Sequence, residues 1–139
     1  MALDRDRIRF KGKALSAAIR CGGSIEHDDA GPFFDNLYAE WQGSGLSLDA
    51  SEGWLDERLK DAFKCVERAP EWVDEEEPLW PFIDGKPMVF LAQCTMKDDE
   101  LGREELSPGE TAYLFGGRKH EDGKVRMTYT TVSQFAPGY

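Results

Sequence analysis

The hydrophobic pattern of the chain changes period once, near residue 71. Before that point apolar residues recur at helical spacing. Phe33, Phe34, Leu37, Tyr38 and Trp41 form one stripe, so the spacing predicts a helix over 33–42, with Pro32 in its first turn and Gly43-Ser44-Gly45 as its break. Trp54, Leu55, Leu59, Ala62, Phe63 and Val66 predict a second helix over 52–68, N-capped by Ser51, with an Asp56–Lys60 pair on its outer face and Pro70 forbidding continuation. Residues 7–21 stay ambiguous. Ile8 and Phe10 alternate as in a strand, Ala14, Leu15, Ala18 and Ile19 have helical spacing, and Gly22-Gly23 ends either element.

After residue 71 the pattern is that of strands and turns. Pro78 and Pro81 frame an irregular segment, and Asp84-Gly85 turns the chain into 87–95. The run Met88-Val89-Phe90-Leu91-Ala92 predicts an interior strand buried on both faces. Pro108-Gly109 then leads to a strand over 111–117, its expected partner. Asp122-Gly123 is a type I′ hairpin signal before the alternating stretch 124–135. Centring the turn there sets Glu121 against Lys124, Lys119 against Arg126, Phe115 against Thr130 and Tyr113 against Val132. The Lys119–Arg126 pair is of like charge and needs an anion or exposure to relieve it. The expected fold is α+β, N-terminal helices packed on a mainly antiparallel β-sheet. It forms one domain over 1–139, with a helical half of about 1–70 and a sheet half of about 71–139.

A chain of 139 residues suits one hydrophobic core. No apolar run is long enough for a membrane span, and the charged start Met1–Arg7 leads into no apolar segment of a secretory signal. Cys21, Cys65 and Cys94 are odd in number and widely spaced. They suit part-buried thiols in a reducing cytoplasm better than a disulfide framework. Charge changes the picture more. Residues 1–20 carry net +4 and residues 21–139 net −14, with −9 concentrated in 71–110. Such a body repels nucleic-acid phosphates and attracts basic partners.

Chemistry-bearing groups are sparse. His27-Asp28-Asp29, beside Glu26, has the residue types of a metal or general acid–base site, but neighbours in extended chain diverge and Ala30-Gly31-Pro32 suggests a solvated loop. His120 sits by a turn. No nucleophile motif, phosphate loop or dinucleotide fingerprint is present, so no catalytic residue, metal or cofactor is assigned. Trp72, Trp80 and Phe82 read either as a cap on the core or as a stacking platform. Asp74-Glu75-Glu76-Glu77 and Asp98-Asp99-Glu100, followed by Glu104-Glu105, read either as solvated faces or as a negative interface. They flank the 87–95 strand, which puts them near its opposite ends.

Residues Gly85-Lys86-Pro87-Met88-Val89-Phe90-Leu91-Ala92-Gln93, Leu106-Ser107-Pro108-Gly109-Glu110 and Tyr113-Leu114-Phe115 resemble the YwqG-like domains of bacteria. The resemblance spans 85–115 and does not extend to 1–70. It implies a non-enzymatic domain associated with toxin systems and carries over no catalytic residue. Together with the acidic body, it leads to the expectation of a cytoplasmic immunity or antitoxin protein occluding the active site of a cognate basic toxin. The expected contacts are Asp74, Glu75, Glu76, Glu77, Trp72, Trp80, Asp98, Asp99 and Glu100. Two alternatives stay open: a small-ligand or carbohydrate-binding module using Trp72 and Trp80, and a metal-dependent hydrolase using His27, Asp28 and Asp29. Oligomeric state is not legible.

Overall fold

The computed structural model of the protein describes residues 4–95 and 109–136. Three helices come first: α1 (Arg5–Arg20), α2 (Gly31–Ser44) and α3 (Ser51–Ala62). Five strands follow: β1 (Phe82–Ile83), β2 (Lys86–Pro87), β3 (Val89–Thr95), β4 (Glu110–Glu121) and β5 (Lys124–Phe135). The α+β expectation holds. β1 and β2 form a small antiparallel hairpin, and the other strands form an antiparallel sheet in the order β3-β4-β5.

Helical spacing wins in the ambiguous first segment. Asp4 caps α1 by accepting the Arg7 N–H at 3.0 Å. Phe10, Ala14, Ala17 and Ala18 make the buried stripe, while Ile8 remains exposed. The small alanines let α1 lie close along α3, and Arg20 bonds Asp56 across that contact at 2.8 Å. Asp56 therefore serves a partner on another helix rather than the expected Lys60. In α2, Pro32 occupies the first turn, and Gly45 ends the helix in the left-handed conformation.

The helix predicted over 52–68 is too long. α3 stops at Ala62, and its N-cap is Ala50 rather than Ser51, whose hydroxyl donates to the Leu48 carbonyl at 2.5 Å. Phe63 is buried but extended, and Val66 lies exposed. Tertiary pairing explains the early stop. Phe90 is buried on β3, and its backbone groups need partners on the side away from β4. Lys64 accepts the Phe90 N–H at 2.9 Å, and the Val66 N–H donates to the Phe90 carbonyl at 3.0 Å.

β3 is also not the interior strand. β4 holds the centre, and β3 is an edge whose outer side is covered at Phe90 by residues 64–66. Nor is β3 buried on both faces: Phe90 is buried opposite Phe115, whereas Ala92, set opposite Leu114 by a register shift, is exposed. The hairpin register is as expected, with Glu121, Lys119, Phe115 and Tyr113 opposite Lys124, Arg126, Thr130 and Val132. Asp122 and Gly123 have φ of 51° and 74°, both positive as a type I′ turn requires. Glu121 relieves the like-charge pair, lying 3.0 Å from Lys119 and 3.5 Å from Arg126.

One face of the sheet meets the helices. Phe90, Tyr113 and Phe115 point inward and join Trp72, Trp80, Phe63, Phe82 and Phe33 in a chain of ring contacts that reaches α2. A second aromatic group, Phe10 with Phe34, Tyr38 and Trp41, fills the space between α1 and α2. At Gly117 a Cβ would stand 2.8 Å from the Ile83 side chain, so a glycine there lets the β1–β2 hairpin close against β4.

Candidate functional site: an acidic turn held by the sheet

The Asp74–Glu77 run is exposed, but its backbone is fixed. Residues 71–77 cross beneath one end of the sheet, and each of the three strands supplies an inward polar side chain to bind them. From β3, Gln93 Oε1 accepts the Glu71 N–H at 2.7 Å. From β4, the Tyr113 hydroxyl accepts the Val73 N–H at 2.9 Å and donates to the Glu71 carbonyl at 3.0 Å. From β5, Gln134 Oε1 accepts the Asp74 N–H at 2.9 Å, and its Nε2 donates to the Glu77 carbonyl at 2.8 Å. Burial of Gln134 and of the Tyr113 ring is thus matched by hydrogen bonding. Burial is the main reason that the Tyr113 hydroxyl pKa lies above its ordinary value.

Inside the run, Asp74 Oδ1 accepts the Glu76 N–H at 3.1 Å, and the Glu77 N–H bonds the Asp74 carbonyl at 3.3 Å. The four carboxylates therefore leave a closed turn rather than a loose strand of chain. The turn emerges beneath the β5 side of the sheet. This end is also the one at which β3 finishes, at Thr95, since Thr95 pairs with Thr111 and Thr111 with Gln134. The run was expected near the other end of that strand. The correction follows from the 71–77 crossover, which carries the chain under the sheet before it returns at β1. Asp98, Asp99 and Glu100 lie outside the described residues.

Trp72 and Trp80 are taken out of the exposed surface. Their relative exposures are 7% and 2%, and their indole N–H groups donate to the Gly22 carbonyl at 2.6 Å and the Met88 carbonyl at 2.7 Å. Trp72 lies tilted against Tyr113 with ring centroids 4.4 Å apart, and Trp80 meets Phe115 edge-on at 5.1 Å. The rings close the core, so neither presents a free face to a sugar or a protein.

His27 caps the short 3-10 turn Asp28–Ala30. Its Nδ1 accepts the Asp29 N–H at 3.0 Å, and its ring lies over Phe82 with centroids 6.1 Å apart. Asp28 and Asp29 are exposed in that turn. Among the described residues, no three His, Cys, Asp or Glu side chains converge as metal ligands would. His120 sits outside the β1–β2 hairpin, where its backbone N–H donates to Asp84 Oδ2 at 2.9 Å. That bond is the leading reason that the Asp84 carboxyl pKa lies below its ordinary value. No helix among the described residues is long and apolar enough to cross a membrane. Cys21 and Cys94 are half-buried and Cys65 is exposed, which departs from the expectation for the last of these.

The residues that build this site were only partly visible in advance. The four carboxylates announce themselves as a run. Gln93, Tyr113 and Gln134 do not, because each is a single polar residue in a strand. The signal that could have found two of them is positional: carried to its end, the hairpin register puts Tyr113 and Gln134 on the same face as Phe115, where an unpaired polar group would be costly. Comparison with known protein families, with curated proteins and with solved structures found no match to this chain.

Proposed function

We propose that this protein is a non-enzymatic inhibitor of the immunity type, which captures a cognate basic toxin domain and covers its active site. The observation that carries the reading is the Asp74–Glu77 turn, four exposed carboxylates on a backbone held by β3, β4 and β5. Carboxylates on a held backbone have only side-chain freedom left to lose on meeting a basic surface, and an acidic body speeds the encounter. The contact set narrows from the expected one: the acidic turn stays, and Trp72 and Trp80 act from below as core.

The test is kinetic. Basic domains encoded in the reading frames on either side are expressed and immobilised as candidate toxins, and association is measured for the wild type and for a variant with Asp74, Glu75, Glu76 and Glu77 changed to Lys. Association should slow by about tenfold or more in the variant, and the wild-type rate should fall as salt is raised. An unchanged rate at low salt, with a correctly folded variant, would remove the turn from the interface. Failure of the wild type to bind or neutralise the domain would remove the function.

A further inference from the structure

Among the described residues the sheet has an uncovered side and an uncovered edge, and both meet on β5. Side chains of β5 alternate. Even-numbered residues from Arg126 to Gln134 take the inner face, and Val125, Met127, Tyr129 and Phe135 stand on the outer one. Those four are each more than half exposed, at 55–60%. Among the described residues no strand pairs with β5 on the side away from β4. The edge is 12 residues long, or about 40 Å. Natural edges of this length are usually blunted by charge, proline or a bulge. Here Lys124 and Arg126 guard one end, and residues 128–135 carry no charge and no proline.

We infer that β5 pairs antiparallel with β5 of a second copy of this chain, joining two three-stranded sheets into one of six strands. Charge names the occupant. Lys124 and Arg126 mark the start of β5, and the Asp74–Glu77 turn lies beneath its finish, fixed to Gln134. An antiparallel pairing about a two-fold axis brings the basic end of each copy to the acidic end of the other. With Thr130 on the axis, residues whose numbers mirror one another about 130 face each other and share a face, as the period of two demands. Arg126 of one copy then lies opposite Gln134 of the other, on the inner face, directly beside the acidic turn. On the outer face Val125 meets Phe135, two exposed apolar side chains with no charged neighbour between them. One arginine against four carboxylates leaves the turn strongly negative, so pairing goes beyond the proposed inhibition without replacing it.

The experiment needs only the purified chain, so its outcome is independent of any toxin. Mass in solution is measured by sedimentation across a concentration series. The wild type should reach twice the 15.7 kDa of one chain. Arg126→Glu should weaken the dimer by about tenfold or more, and so should changing Asp74, Glu75, Glu76 and Glu77 to Lys. The two changes combined should restore it, because the charges then complement again. Arg126→Glu gives up the 3.5 Å pairing with Glu121 and gains Lys119 across the hairpin, so circular dichroism and the unfolding midpoint of the variant are checked beside its mass. A Thr130→Cys chain with Cys65→Ser should also form an interchain disulfide on mild oxidation, because residue 130 meets its own copy. A monomer at every concentration up to about 100 µM, a limit that excludes all but very weak association, would overturn the inference and assign the open edge to a different molecule. A dimer indifferent to both charge reversals, or one that their combination does not restore, would overturn it equally.

Discussion

Trp41 and Trp80 are both buried, and they differ in one hydrogen bond. Trp80 donates to the Met88 carbonyl, whereas the Trp41 indole nitrogen has no partner among the described residues. Changing either to Phe removes similar volume, but only at Trp80 does it strand an acceptor. Trp80→Phe should therefore cost about 1–3 kcal/mol more than Trp41→Phe in denaturant unfolding. Asp84 gives a pH-dependent counterpart. Its folded-state pKa is lowered, first by the His120 N–H. A lowered carboxyl pKa contributes stability above the ordinary carboxylate range and loses it as pH falls through the folded value. Asp84→Asn tolerates the positive φ of this turn position. The stability gap between wild type and this variant should be widest near neutral pH and should close in acid.

The last turns expected of α3 are replaced by a short parallel contact between residues 64–66 and β3. Helix propensity there is worth a few tenths of a kcal/mol per residue, while leaving the buried Phe90 N–H and carbonyl unpaired costs about 1–3 kcal/mol each. The second term is larger, so the chain unwinds at Phe63. Phe90→Ala should consequently cost about 3–5 kcal/mol, and Val66→Ser should stay within about 0.5 kcal/mol. Equal effects would mean that the helix continues in solution. The crossover 71–77 depends in the same way on β5. Gln134→Ala should speed hydrogen exchange at the Asp74 amide, with a stability loss of about 1–3 kcal/mol.

At the scale of the molecule, a net charge of −10 on 139 residues opposes compaction. The ion pairs that tie the helices together, Arg7–Asp35, Arg20–Asp56 and Arg58–Glu40, lie at the surface and offset little of that repulsion. The unfolding midpoint should therefore rise as salt is added from very low ionic strength to about 0.15 M, where charges beyond about 8 Å are screened. A midpoint that falls with salt would show that local ion pairs outweigh the net charge. Stability instead rests on the aromatic chain linking β3 and β4 to α2, which is continuous from Phe90 to Phe33.

Elements governed by local chemistry could be read directly from the amino acids. Pro32, Gly45 and the apolar stripe settle α2. Asp122-Gly123 and the alternation around it settle the β4–β5 hairpin to the exact pairing of Lys119 with Arg126. Local periods and turn residues act over a few positions, so one chain suffices to see them. The acidic turn was legible as a run of like residues but not as a structured site. Its three anchors come from 22 to 60 positions further along the chain. Only the tertiary structure decided that β3 is an edge, that α3 ends at Ala62 and that Trp72 and Trp80 are core. In each case a buried backbone or indole group found a partner in another element, from 8 positions away at Trp80 to 50 at Trp72, and the cost of leaving it unpaired is not visible in a local pattern.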